Sequence, residues 1–324
     1  MYKPACATDW QGRADNAEGN NALRWHQRIQ TWNQHDNLND APTLLGFACD
    51  EGVRRNQGRI GAKQGPDTIR QVLGNFAYHN EKTPFDAGTI ECEKKEMERA
   101  QEELSQHITR ILSHHGRPII LGGGHEVSWS SFLGLANYLN EQNTASRIGI
   151  INFDAHFDLR PPIPQTNSGT AFHQIATWYQ QQQQAFNYLV IGLSPTSNTQ
   201  SLYEFANQHD VTWIEDVECC LPKMSTIEKT LTTFLNKVDA LYVTICMDVF
   251  PAHIAPGVSA PSSLGVEPIV VIQLLRHFKT LCREKNITWL LSDIAELNPS
   301  YDIDQCTAKL AARLVHELSI SLHN

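Results

Sequence analysis

Apolar residues in this chain come in short, nearly continuous runs, at 43–49, 118–121, 148–153, 188–193, 211–214, 240–245 and 287–291. A strand covered on both faces reads this way, whereas a strand with one wet face alternates. Between the runs lie stretches whose apolar positions recur every three or four residues, at 66–76, 95–115, 127–139, 200–208, 224–236, 268–283 and 303–318. That period predicts amphipathic helices. Buried strands alternating with helices predict a three-layer α/β/α sandwich around a mostly parallel central sheet. In such sheets, sites form beyond the carboxyl ends of the strands. Residues 1–42 are polar and show no clear period. Trp10, Trp25 and Trp32 are expected to pin this arm onto a single body spanning 43–324. The glutamines at 180–184 read as the solvated end of a helix that begins near Ala171.

Composition narrows the class. The chain has 324 residues, 41% of them hydrophobic, and a formal charge of -9. An acidic chain argues against nucleic acid or an anionic membrane surface as partner. No apolar run reaches the ~20 residues needed to span a bilayer. The segment after Met1 lacks an apolar signal core, so a cytoplasmic location is expected. The eight cysteines are scattered without a CxxC pair. Neither a zinc knuckle nor a disulfide scaffold is indicated. A small-molecule partner is expected, and association into a homo-oligomer is left open.

The chemistry concentrates in three segments. Gly122-Gly123-Gly124-His125-Glu126 follows one apolar run, and Asn152-Phe153-Asp154-Ala155-His156-Phe157-Asp158 closes another. Cys246 and Asp248 close a third. Spacing of two puts Asp154, His156 and Asp158 on one face at a strand end, and does the same for Cys246 and Asp248. Carboxylates and imidazoles crowd together on an apolar scaffold only if something neutralises them. Divalent metal ions do so, and this many ligands suits two ions better than one. For a single residue a helix cap or a satisfied core histidine is as good an account. For D-x-H-x-D beside a glycine-rich loop bearing His it is not. His125, Asp154, His156, Asp158 and Asp248 are therefore expected to converge.

These segments resemble the metal signatures of the ureohydrolases, the arginase and agmatinase family, and Ser292-Asp293-Ile294-Ala295-Glu296-Leu297-Asn298-Pro299 resembles that family's last signature. The resemblance covers residues from about Thr43 onward and implies an arginase-like fold with two Mn2+ per subunit. Within the family the nearest likeness is to the formimidoylglutamase branch. It rests on Trp10-Gln11-Gly12-Arg13, Arg24-Trp25-His26-Gln27, Asp50-Glu51-Gly52-Val53-Arg54-Arg55-Asn56-Gln57-Gly58-Arg59 and Ala255-Pro256-Gly257-Val258-Ser259-Ala260-Pro261. That branch implies hydrolysis of N-formimidoyl-L-glutamate to glutamate and formamide, in histidine degradation, by hydroxide held between the ions. The alternatives are an arginase- or agmatinase-like guanidine hydrolase, a one-zinc deacetylase of the same fold, and a metal-binding protein without turnover.

The resemblance also implies roles. Asp154 and His156 ligate, with Asp154 bridging. His125 and Asp158 complete one ion, while Cys246 and Asp248 help complete the other or bridge. Asp158 also shuttles a proton. Glu296 holds the cationic formimidoyl group by charge-assisted hydrogen bonds, and His173 is a candidate proton relay to the rim. The substrate's two carboxylates call for arginine, which binds them bidentately. Arg54, Arg55 and Arg59, in what reads as a glycine-punctuated loop with Asn56, are candidates, and so is Arg160. Simple pairing with helix carboxylates is an equally good account of any one of them. One departure stands out: most ureohydrolases carry Asp where this chain has Cys246, and a thiolate shifts metal preference toward softer ions. Cys49 ends another strand, so a disulfide with Cys246 is expected only if their Cα atoms come within ~7 Å.

Overall fold

The computed structural model describes residues 1–15, 19 and 21–320. Its core is a 10-stranded sheet. The strands are β1 (Tyr2–Lys3), β2 (Gln30–Thr31), β3 (Pro42–Ala48), β4 (Phe85–Glu91), β5 (Arg117–Leu121), β6 (Ile148–Phe153), β7 (Asn187–Leu193), β8 (Thr212–Glu215), β9 (Ala240–Cys246) and β10 (Thr288–Ala295). They lie in the order β1-β4-β3-β5-β10-β9-β6-β7-β8, with β2 also paired to β4. Every pairing is parallel except that of the short β1 with β4.

Two-fold alternation along each strand builds two cores. Leu44, Ile119, Leu121, Ile151, Phe153, Leu241, Val243 and Ile245 point to one face. There they meet α3 (Gly65–Leu73), α8 (Met224–Leu235), α9 (Pro268–Lys285) and α10 (Cys306–Ser319). Leu45, Ile120, Ile150, Val190 and Tyr242 point to the other. That face is covered by α4 (Met97–Ser113), α5 (Val127–Glu141), α6 (Ala171–Gln181) and α7 (Gln200–Gln208). A strand apolar at both parities must be covered on both sides, which is the sandwich its run of apolar residues predicts.

Three departures have physical causes. Strand β4 does not read as an apolar run because Asp86, buried within it, is held by the guanidinium of Arg70 on α3 (Nε–Oδ2 2.9 Å) and by the Trp10 indole. Strand β10 runs on to Ala295, past the apolar stretch, and so places Glu296 at its end. The arginine-rich segment is not a loop: Glu51–Arg55 is a short helix, α2, in which Glu51 bonds both Arg54 and Arg55.

The N-terminal residues lie against this body. Trp10, Trp25, the first residue of α1 (Trp25–Arg28), and Trp32 are all buried, and the Trp25 indole donates to His316 of α10. Among the described residues, no helix is long and apolar enough to cross a membrane.

Candidate metal centre

Strands β5, β10, β9 and β6 are adjacent and parallel at the centre of the sheet, and their ends are in register. Ile294 is level with Leu121 and Ile245, and Ile245 with Phe153. The segments leaving these four strands therefore emerge at one place: the glycine loop and His125 after β5, Glu296 after β10, Asp248 after β9, and Asp154 to Asp158 after β6. The glycine loop can pass only without side chains. A Cβ on Gly123 would lie 1.7 Å from the Cys49 carbonyl oxygen.

The predicted ligands converge. His125 Nδ1 lies 2.9 Å from Asp154 Oδ2 and 2.9 Å from Asp158 Oδ2. His156 Nδ1 lies 3.3 Å from Asp154 Oδ1 and 3.3 Å from Asp248 Oδ2. Two groups form, His125 with Asp154 and Cys246, and Asp154 with His156 and Asp248, each with its ligand atoms within 4.8 Å of one another. Asp154 belongs to both. It is oriented by the Asn152 side-chain amide (3.0 Å), which is itself bonded to the Tyr188 hydroxyl (2.9 Å), and by the His156 backbone N–H (2.7 Å).

The donors fit cations. Among the described residues His125 Nδ1 and Asp248 Oδ1, both buried, lack a hydrogen-bond partner, although His125 Nδ1 is within 2.9 Å of two carboxylates. Such proximity without hydrogen-bond geometry suits atoms that share a third, positive centre. Burial pushes the Asp158 and Asp248 carboxyls up from their ordinary values, and the neighbouring Asp154 adds to this. Burial also raises Glu296, helped by the nearby Glu126, and raises the Cys246 thiol, helped by Asp154. Burial lowers the basicity of His125 and His156, but the carboxylates around them outweigh it and hold both well above the usual imidazole value. Asp154 is held low against burial by the two histidines. The buried carboxylates of Asp154, Asp248 and Glu296, with the largely buried Asp158, outnumber the two imidazoles and leave an excess of negative charge that only bound cations or protons can balance.

Two of these residues sit in the left-handed backbone region: Asp158 at φ 49 and Glu296 at φ 68. Aspartate visits that region in many turns, but glutamate rarely does, and such strain persists where surroundings over-determine it. Glu296 is fixed by its Oε1 accepting the His125 backbone N–H at 2.9 Å, which leaves the buried Oε2 without a partner.

The arginines are not equivalent. Arg55 is spent on Glu51, Glu98 and the Thr166 carbonyl. The Arg59 guanidinium bonds the Ser259 and Val258 carbonyls and lies over the Tyr301 ring. Arg54 is paired bidentately with Glu51 but half-exposed. Among the described residues only Arg160 of the four has no side-chain hydrogen bond or ion pair. It is exposed, and both its Cδ and the Asn56 amide flank Gly169. Asn56 bonds the Ser168 hydroxyl at 3.2 Å. His173 does not touch the ligands: its Nδ1 meets the Leu159 carbonyl at 3.2 Å and its ring stacks on Phe205 at 4.4 Å. A Cys49–Cys246 disulfide is ruled out by strand order. β3 and β9 are separated by β5 and β10, about 14 Å at ~4.8 Å per strand, and the Cys49 thiol lies beside that of Cys92, both free, instead.

Sequence reasoning missed Thr244, whose Oγ1 lies 3.0 Å from His125 Nε2, and Asn152. Both continue the spacing of two one step upstream, from Cys246 and from Asp154, and could have been found that way.

The arginase family model matches residues 41–320. The chain is 44% identical to the formimidoylglutamase of Aliivibrio fischeri, covering 95% of this chain and 93% of that protein. It is 41% identical to that of Aeromonas hydrophila, covering 98% of both. In fold it is similar to a formimidoylglutamase from Bacillus subtilis (TM-score 0.78, 23% identity, 93% and 92% covered). It is likewise similar to a Trypanosoma cruzi formiminoglutamase with Mn2+ (TM-score 0.76, 21% identity, 92% and 98% covered). With the arginase model matching residues 41–320, and a cluster of residues that could hold metal ions at the carboxyl ends of a parallel sheet, this chain is a member of the arginase family.

Proposed function

We propose that the chain hydrolyses N-formimidoyl-L-glutamate to L-glutamate and formamide, a step of histidine degradation, using two Mn2+ per subunit. The observation that carries this reading is the convergence of both ligand groups and Glu296 at one sheet end, in a chain so widely matched to formimidoylglutamases. His125, Asp158 and Asp154 would hold one ion, with Cys246 beside them, and Asp154, His156 and Asp248 would hold the other. Bound there, such ions would lower the pKa of water enough to supply hydroxide near neutral pH.

The chain's own groups do the rest. Glu296 Oε2, buried and unpartnered, accepts from the cationic formimidoyl nitrogen. Asp158 takes the proton released on attack and returns it to the departing glutamate nitrogen. His173 keeps Nε2 for passing protons toward the rim, since burial lowers its pKa and leaves it neutral and able to accept. The uncommitted Arg160 guanidinium, with the Asn56 amide beside it, meets the substrate carboxylates. Arg54 supports it from the half-exposed edge of α2, while Arg55 and Arg59 hold the surrounding segments. A cytoplasmic location agrees with the metabolic role.

The test is an assay of Mn-loaded protein with formimidoylglutamate, arginine and agmatine side by side. Formamide and glutamate should appear from the first alone. Urea from arginine or agmatine would move the reading to a guanidine hydrolase, and no product from any would leave a metal-binding protein without turnover.

A further inference from the structure

Behind His125, away from the cluster, lies a buried chain of hydroxyls and one carboxylate that the reaction does not use. His125 Nε2 is 3.0 Å from Thr244 Oγ1. The Thr244 hydroxyl lies against the carboxylate of Asp293, on the adjacent strand β10. Asp293 is fully buried; its Oδ2 accepts from the Ser131 hydroxyl at 2.7 Å and from the Tyr242 hydroxyl, and its Oδ1 has no hydrogen-bond partner among the described residues. Burial pushes the Asp293 carboxyl up, and the converging hydroxyls oppose that by stabilising the ionised form.

The unpartnered Oδ1 calls for a donor, and the Thr244 hydroxyl beside it is the neighbour not already bonded to Asp293. A carboxylate only accepts, and threonine has one proton to give. With that proton on Asp293, the Thr244 oxygen must accept from His125, so the proton of the neutral imidazole sits on Nε2. The Nδ1 lone pair is left facing Asp154 and Asp158, where His125 is read as a ligand. The geometry points to Asp293, acting through Thr244, as the positioning residue that sets the His125 tautomer and ring orientation for metal binding. An anion at the end of the chain also makes the imidazole a better donor, as outer partners of ligating histidines commonly do. Neither Asp293 nor Thr244 touches the reacting atoms. The inference rests on the metal reading of the cluster.

Mn2+ binding isotherms, with free Mn2+ counted by electron paramagnetic resonance, test it without recourse to turnover. In Thr244→Val, nearly the same in shape but without the hydroxyl, one of the two ions should bind about 10–100-fold more weakly. Thr244→Ser should restore the wild-type isotherm. Asp293→Asn should weaken the same ion, because an amide turned toward Thr244 lets the threonine proton point at His125 and reverses the tautomer. In the diamagnetic Zn2+-loaded protein, the His125 Nε2 proton should give a slowly exchanging resonance in wild type and Thr244→Ser, and none in Thr244→Val. If Asp293→Asn does not fold, the valine and serine pair still decides. A Thr244→Val isotherm within twofold of wild type overturns the relay alone. A wild-type protein that takes up no Mn2+ overturns the metal reading beneath it as well.

Discussion

The two ends of the sheet bury charge in opposite ways. At the amino end, Glu317 of α10 is 1% exposed, yet both its oxygens are met. Arg276 supplies two bonds, at 3.1 and 2.9 Å, and Arg313 two more, at 3.1 and 2.5 Å. Burial resists ionisation there, but the two guanidiniums outweigh it and hold Glu317 below its ordinary value. At the carboxyl end, Asp158, Asp248 and Glu296 are held above theirs, and oxygens of Asp248 and Glu296 have no partner. Charge balanced by the chain itself fastens helices together. Charge the chain leaves unbalanced needs something from outside, and that is where the site is. Burial alone does not tell the two apart; the inventory of partners does.

Substitutions at the two ends should separate cleanly. Asp154→Asn removes the residue common to both ligand groups. Activity should fall at least ~10³-fold, since each ion supplies several kcal/mol to the transition state, and the rise in melting temperature on adding Mn2+ should vanish. Retention of that rise would mean the ions are held elsewhere. Glu317→Ala should do the reverse. Losing the charge-assisted bonds to Arg276 and Arg313, both exposed enough to be taken up by water, costs about 1.5–3 kcal/mol of stability, read as a lower urea midpoint, while kcat per folded molecule and Mn2+ affinity stay put. A loss of Mn2+ affinity there would show that the two ends are coupled.

Smaller effects sharpen the contrast between committed and free arginines. Arg160→Ala should raise KM about 10–100-fold with little change in kcat, the ~1.5–3 kcal/mol of a hydrogen bond to a charged group. Arg59→Ala should act mainly on stability, because its guanidinium serves the Ser259 and Val258 carbonyls. If the two variants exchange these phenotypes, the carboxylate pocket lies on the Arg59 side. The smallest effect concerns Glu98, brought down to about 2 by Arg55. A carboxyl whose folded pKa is depressed stabilises the fold above its unfolded value and loses that contribution as pH falls toward the folded one. Glu98 is 59% exposed, so the contribution is under ~1 kcal/mol. The urea-midpoint gap between wild type and Glu98→Gln should be present at pH 7 and close between about pH 4.5 and 2. A gap that persists at acid pH would assign it to packing.

Much of the site was legible before any coordinates. A spacing of two at a strand end is local geometry, so Asp154, His156 and Asp158, and Cys246 with Asp248, could be placed on common faces from the chain alone. Strands apolar at both parities likewise declared a sheet covered on both sides. What escaped was whatever depended on a partner distant in sequence. β4 was hidden because its buried Asp86 is balanced by Arg70 and Trp10. Arg54, Arg55, Arg59 and Arg160 looked alike because nothing local records which carboxylates and carbonyls are near.

The sequence by itself determined the fold class, the candidate ligand types and the strand ends that carry them, because side-chain alternation repeats every two residues and needs no distant neighbour. Only the tertiary structure decided the rest. It set the strand order that puts about 14 Å between Cys49 and Cys246 at ~4.8 Å per strand. It revealed the engagement of Arg55 and Arg59 that leaves Arg160 uncommitted, and the line of contact from Asp293 through Thr244 to His125. Each is a contact between segments far apart in the chain, and such contacts depend on how the whole sheet is threaded, which no local period encodes.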